Sequence, residues 1–256
     1  DDMMKKILLL LLMVVVSSCG GSNGSAGPNQ PPVANVSPGG IWSGPDSSGR
    51  DIIALITEAG RFHFINEDLS QGSGVLSVTN GNQISGNFQL VTQLGFTFVD
   101  GTTSANCTFT GSVVERQTIT ASVNCTTTAG LQTQVTATLA YEALYDRDSS
   151  LAMVSGNYQA VQEVLNVAGD GTMFSQNAGT GCVVNGQIAI INAAYNAYDV
   201  SFTYSNCDGQ EAILNGSTFT GLALLDNTAL PEEIGIAVTG DVAGVHVSSV
   251  LILERI

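Results

Sequence analysis

The sequence predicts an all-β protein made of two tandem antiparallel meander domains. Three observations carry this expectation. Apolar and polar residues alternate with a period of two: Ile119, Ala121, Val123 and Cys125 share one face of a run, and Thr118, Thr120, Ser122 and Asn124 share the other. Turn dipeptides punctuate the runs. Asn80-Gly81 sits between LSV and QIS as a type I′ hairpin signal, and Asp170-Gly171 sits between VLNV and TMF. Past residue 38 no stretch repeats its apolar residues every 3.6 positions, so helices are not expected to build the body.

Composition narrows the functional classes. The 256 residues carry 7 Lys+Arg against 22 Asp+Glu, a formal charge of −15, which excludes nucleic-acid binding by clustered cations. The same imbalance excludes a polybasic contact with anionic lipid. Only 11% of residues are charged while 44% are hydrophobic, so the chain has material for real cores rather than a disordered composition.

The chain begins with a leader. Lys5 and Lys6 precede an apolar run from Ile7 to Val16. Ten residues are too few to cross a bilayer, which needs about 20, so the run reads as a secretion signal over residues 1–18. It ends in Val16-Ser17-Ser18-Cys19, an aliphatic residue and two small ones before a cysteine. This resembles the lipobox of bacterial lipoproteins. The resemblance implies lipidation of Cys19, anchoring to the membrane and, through Gly20, sorting to the outer membrane. Residues 19–38 are rich in Gly, Ser, Asn and Pro and are expected to form a flexible tether.

Two loosely similar halves follow, at 39–149 and 150–256. Gly40-Ile41-Trp42 opens the first and Gly156-Asn157-Tyr158 the second. Each opening leads to a strand, an Ala-Gly pair (Ala59-Gly60, Ala168-Gly169), and a short aromatic strand. Each half then has a cysteine with glycine four residues on, Cys107 with Gly111 and Cys182 with Gly186. A second cysteine follows, and an arginine stands near each end, Arg147 and Arg255. Strands joined by short turns favour an up-and-down meander, which either closes into a barrel of about eight strands or packs as a β-sandwich. The opening Gly-x-Trp with a basic residue on the last strand resembles the lipocalin and calycin barrels. That resemblance implies that Trp42 stacks with Arg147, and Tyr158 with Arg255, closing one end of each barrel.

Four cysteines remain after Cys19. Partners across an antiparallel hairpin have residue numbers of constant sum. For Cys107 and Cys125 the sum is 232, which places a turn at Arg116 and pairs Phe109 with Val123 and Val113 with Ile119 on the apolar face. For Cys182 and Cys207 the sum is 389. Alternation of Val200, Phe202 and Tyr204 puts Cys207 on the wrong face, so a β-bulge is expected near Ser205-Asn206. Two structural disulfides within the halves are therefore expected, each contributing about 3 kcal/mol.

Little chemistry is written in the rest. His63 and His246 lie one in each half, no nucleophile motif surrounds them, and no cofactor or metal is expected. Asp146 and Asp148, Glu67-Asp68, and Glu232-Glu233 leave room for an envelope hydrolase using a carboxylate pair or loop-bound calcium. The leading expectation is a non-enzymatic envelope lipoprotein that binds a small apolar ligand or a protein partner, or serves structurally. If the meanders close, Phe62, Phe64, Phe88 and Phe109 in the first half, and Phe174, Phe202 and Phe219 in the second, face inward. They then form either plain core or the lining of an apolar cavity.

Overall fold

The structure, a computed structural model, describes residues 33–160 and 163–256, with residues 160 and 163 described by their backbone only. Cys19 and the segments expected to be a leader and, up to residue 32, a tether lie outside the described residues. Two closed eight-stranded antiparallel barrels make up the body, each an uninterrupted meander. The first contains β1 (Gly40–Pro45), β2 (Asp51–Ile56), β3 (Arg61–Asn66), β4 (Gln71–Thr79), β5 (Gln83–Val91), β6 (Ser104–Val114), β7 (Thr118–Thr127) and β8 (Gln132–Glu142). The second contains β9 (Gly156–Ala160), β10 (Glu163–Val167), β11 (Thr172–Gln176), β12 (Val183–Ile190), β13 (Tyr198–Ser205), β14 (Thr218–Asp226), β15 (Glu233–Val242) and β16 (Val245–Arg255). Closure leaves no open sheet edge in either barrel, which decides against the sandwich alternative.

The disulfides join Cys107 to Cys125 and Cys182 to Cys207, one bridge within each barrel. Along β6 and β7 Cys107 faces Cys125, Phe109 faces Val123 and Val113 faces Ile119, with Arg116 in the turn at φ 53°. In the second barrel the β12–β13 pairs, from Val183↔Ser205 to Ile190↔Tyr198, sum to 388, one less than the cysteine pair. The extra residue is accommodated at Asn206, whose φ of 57° turns the chain so that Cys207 becomes buried.

Turns repeat a single device. At residues 46–50, 57–61, 66–70, 98–102, 127–131 and 168–172 the first residue's N–H donates to the fifth carbonyl, and the fourth N–H donates to the first carbonyl. This is a type I turn followed by a left-handed residue, which is Gly49, Gly60, Leu69, Gly101, Gly130 or Gly171. The structural equivalent of Gly60 is therefore Gly171, two residues beyond the Gly169 that the sequence comparison aligned with it. Asn80 and Gly81 both have positive φ, but Thr79 pairs with Gln83, making a three-residue connection rather than the expected two-residue type I′ turn. Gly111 and Gly186 mark places where neighbouring strands crowd together. A Cβ at Gly111 would lie 2.0 Å from the Thr120 carbonyl oxygen, and one at Gly186 2.5 Å from that of Ser201.

Both barrels belong to one compact unit, Val33–Ile256. Ile41, Leu55 and Tyr145 pack with Ala197 and Leu222 across the junction. The Tyr145 and Tyr195 rings stack at 4.9 Å, Arg61 forms an ion pair with Asp199, and Gln71 Nε2 donates to the Ser249 carbonyl at 2.8 Å. The Ser248 N–H donates to the Thr92 carbonyl at 3.0 Å, so β16 braces the β5–β6 connection.

His63 points outward from β3 into this junction and is buried there. Burial, followed by the charges of Arg61 and His246, lowers its pKa from 6.5 to about 4. Asp199, paired with Arg61, and Asp241, paired with His246, are the neighbouring acids. As pH falls from 6.5 to 4, the unfolded chain gains a proton that the folded chain refuses, so stability declines across that window. A loss of about 3 kcal/mol is expected from this one group, and urea denaturation of His63→Gln should show most of that decline removed.

Candidate functional site: the cavity of the first barrel

The two barrels differ in what fills them. In the second, Tyr158, Met173, Tyr198, Phe202, Ile234 and Ile236 form a packed core together with Val154. Val154 belongs to a one-turn helix, α1 (Leu151–Val154), whose Ser150 side chain accepts a hydrogen bond from the Met153 N–H at 3.2 Å. Phe202 and Phe219 stack at 5.6 Å within this core. Phe174 does not join them. The residue is 44% exposed on the outer face, because the alternation on β11 turns Met173 and Ser175 inward.

The first barrel encloses a cavity of about 780 Å³. Its lining is unevenly distributed. Phe62 and Phe64 on β3, Phe88 on β5 and Phe109 on β6 form one aromatic wall, their rings in mostly edge-to-face contact at 5.1–6.1 Å. Ala121 and Val123 on β7, facing Ala137 and Val135 on β8, form the other wall. Strands β3 and β7 are four apart in an eight-stranded barrel and so lie across from one another. Large rings facing small side chains leave the space open. The Cys107–Cys125 bridge ties β6 of the aromatic wall to β7 of the other.

One end of this barrel is shut. Trp42 is fully buried at the seam where β1 meets β8, and its Nε1–H donates to the Pro38 carbonyl at 3.2 Å. The indole lies so close over Gly40 that a Cβ there would sit 2.5 Å from Nε1, which accounts for the Gly-x-Trp spacing. Asn35 and Val36, which composition assigned to the tether, are held across this end. The Asn35 side chain donates to the Val78 carbonyl at 2.7 Å, and the Val36 N–H donates to the Gly81 carbonyl at 2.8 Å.

The cation at the shut end is not the expected one. Trp42 pairs in register with Tyr141 and meets its ring edge-on at 5.2 Å. Arg116, from the β6–β7 turn, lies over Tyr141 at 5.5 Å and over Tyr195 of the second barrel at 5.2 Å. Arg147 cannot stack on Trp42, because β8 ends at Glu142 and the chain has already left the barrel. In the second barrel Tyr158 does meet Arg255. They are register partners, the guanidinium stands 5.0 Å from the ring centroid, and it donates to Tyr158 Oη and the Ser155 carbonyl, both at 2.7 Å.

The other end of the first barrel is the mouth. It is formed by the turns at 46–50 and 66–70, the longer connection 92–103, and the turn at 128–131. Phe96 and Val99 of the long connection line the cavity yet are 64% and 97% exposed, while Phe98 packs inward. The carboxylates here are engaged by their own turns. Buried Asp46 accepts from the Ser48 N–H at 2.8 Å and Oγ at 2.5 Å, and from Arg50 Nη2 at 2.8 Å. Burial alone would raise its pKa, but the hydrogen bonds from Ser48 and Arg50 outweigh it and hold the carboxyl at about 2. Arg50 also reaches Asp68 at 3.5 Å. Asp100 accepts from the Thr127 hydroxyl and from Thr102, and these bonds lower its pKa.

Of the other candidate groups, the two histidines approach each other at the junction of the barrels, close enough for their charges to interact, while the acids are held in separate pairs. His246 pairs with Asp241 at 3.0 Å, Asp146 with Arg116, and Glu232 with Arg255 at 2.8 Å. Among the described residues no group of three or more His, Cys, Asp or Glu side chains is arranged to hold a metal ion. No family model, no curated protein and no solved structure matches the chain.

Proposed function

We propose that this protein is a lipid-anchored, non-enzymatic envelope protein whose first barrel binds a small apolar ligand, while the second barrel is a solid buttress. The cavity carries this reading. About 780 Å³ falls within the 300–1,000 Å³ typical of small-molecule sites, and its walls are aliphatic and aromatic. The lipobox-like Val16-Ser17-Ser18-Cys19 supports an anchor, and the Gly/Ser/Asn/Pro segment after it supports a spacer between membrane and barrel. The non-catalytic part is supported by the mouth acids, whose lone pairs are taken up by Ser48, Arg50, Thr102 and Thr127 rather than directed at a reacting atom.

The test is a titration of the purified chain with N-phenyl-1-naphthylamine, a neutral dye that brightens in apolar surroundings. Saturable enhancement with a stoichiometry near one is expected. A flat response, together with no small molecule retained when protein from its source is examined by native mass spectrometry, would discard the ligand-binding reading.

A further inference from the structure

Resting on the ligand-binding reading above, we propose that the first barrel selects amphiphiles by head charge, taking neutral or cationic ones and rejecting carboxylates such as fatty acids. The argument starts from what lies at each depth. Below the mouth the cavity offers Phe62, Phe64, Phe88 and Phe109 and the opposing Ala121 and Ala137, with no cation to receive an anionic group. An apolar tail belongs there, and its head must sit among the mouth turns.

Those turns are one-sided in charge. Asp46 and Asp68 line the opening and Glu67 and Asp100 stand elsewhere in the same turns, against the single base Arg50. Arg50 already faces two of those acids. Its guanidinium bonds Asp46 through Nε at 3.1 Å and Nη2 at 2.8 Å, and approaches Asp68 through Nη1 at 3.5 Å. An incoming carboxylate would have to share the guanidinium with the Asp46 and Asp68 carboxylates, whose charges oppose it, and contacts to Ser48 hold Asp46 in place. Low-dielectric walls focus the remaining negative field into the opening. A cationic head meets the reverse situation, with the Asp46 and Asp68 carboxylates and the Phe96 and Phe98 rings at the rim.

Displacement of N-phenyl-1-naphthylamine by three ligands of one tail length separates the possibilities: dodecylamine, dodecanol and dodecanoate, each below its micelle concentration at pH 7. Dodecylamine should displace the dye at a concentration about tenfold or more below that of dodecanoate. That gap should narrow in about 0.5 M NaCl, where exposed charges are screened. The double variant Glu67→Gln, Asp68→Asn should strengthen dodecanoate binding several-fold while leaving dodecanol unchanged. Dodecanoate competing as well as dodecylamine would overturn the charge rule alone, since the cavity would still be binding tails. Failure of the dye and of all three ligands to bind would instead overturn the ligand-binding reading beneath it.

Discussion

Replacing Trp42 with alanine is expected to destabilise the first barrel by about 3–5 kcal/mol, the largest effect of any single substitution considered for this chain. The side chain is fully buried at the point where the first and last strands pair, so truncation opens a cavity at the seam itself. It also removes the edge-on contact with Tyr141 and leaves the Pro38 carbonyl without its indole donor. Urea denaturation followed by far-ultraviolet circular dichroism measures this, since Trp42 is the single tryptophan and cannot report its own absence. Arg147→Ala supplies the contrast. A cation stacked on the indole would make it costly, whereas its position beyond β8 predicts a change within about 0.5 kcal/mol. A W42A protein as stable as the parent would mean that the strand seam does not depend on the ring.

The double substitution Ala121→Phe, Ala137→Phe is expected to weaken dye binding at least tenfold without unfolding the protein. These residues face each other in register on β7 and β8, and both line the cavity opposite Phe62 and Phe64. Two added rings would bridge the space between the walls. In a packed core such growth costs about 1–3 kcal/mol, but here the rings enter open volume and gain contacts with the aromatic wall. The expected signature is therefore lost binding with an unchanged or raised melting temperature. Unaltered dye affinity in the folded variant would place the dye somewhere other than this cavity.

Several features could be read before any coordinates. Alternation along Thr118–Cys125 fixed which side chains share a face, and the number sum of 232 then fixed the β6–β7 register to the residue. The same reasoning located the irregularity at Asn206, because Cys207 stands an odd number of positions beyond Tyr204, where regular alternation would put it on the face opposite its partner. A further sequence signal marks turns: Asp followed two residues later by Ser or Thr, at 46, 68, 100, 170 and 226. In each case the aspartate oxygen accepts the downstream N–H and closes a turn.

Other readings needed the closed barrel. The register places Arg116 in a turn, and only closure of the barrel makes it the cation over Tyr141, brought there by a hairpin that ends beside the seam. His63 lay on an outward face that the second barrel then covered. Phe174, expected to face inward if the meander closes, is instead outside, because strand alternation gives the inner side to Met173. The sequence by itself determined what is local: strands, turns, the two bridges and the face of most residues, since each depends on neighbours a few positions away. Only tertiary structure decided that one barrel is hollow and the other filled. That difference depends on which side chains meet across four strands, with rings facing alanines in the first barrel and a small helix helping to fill the second.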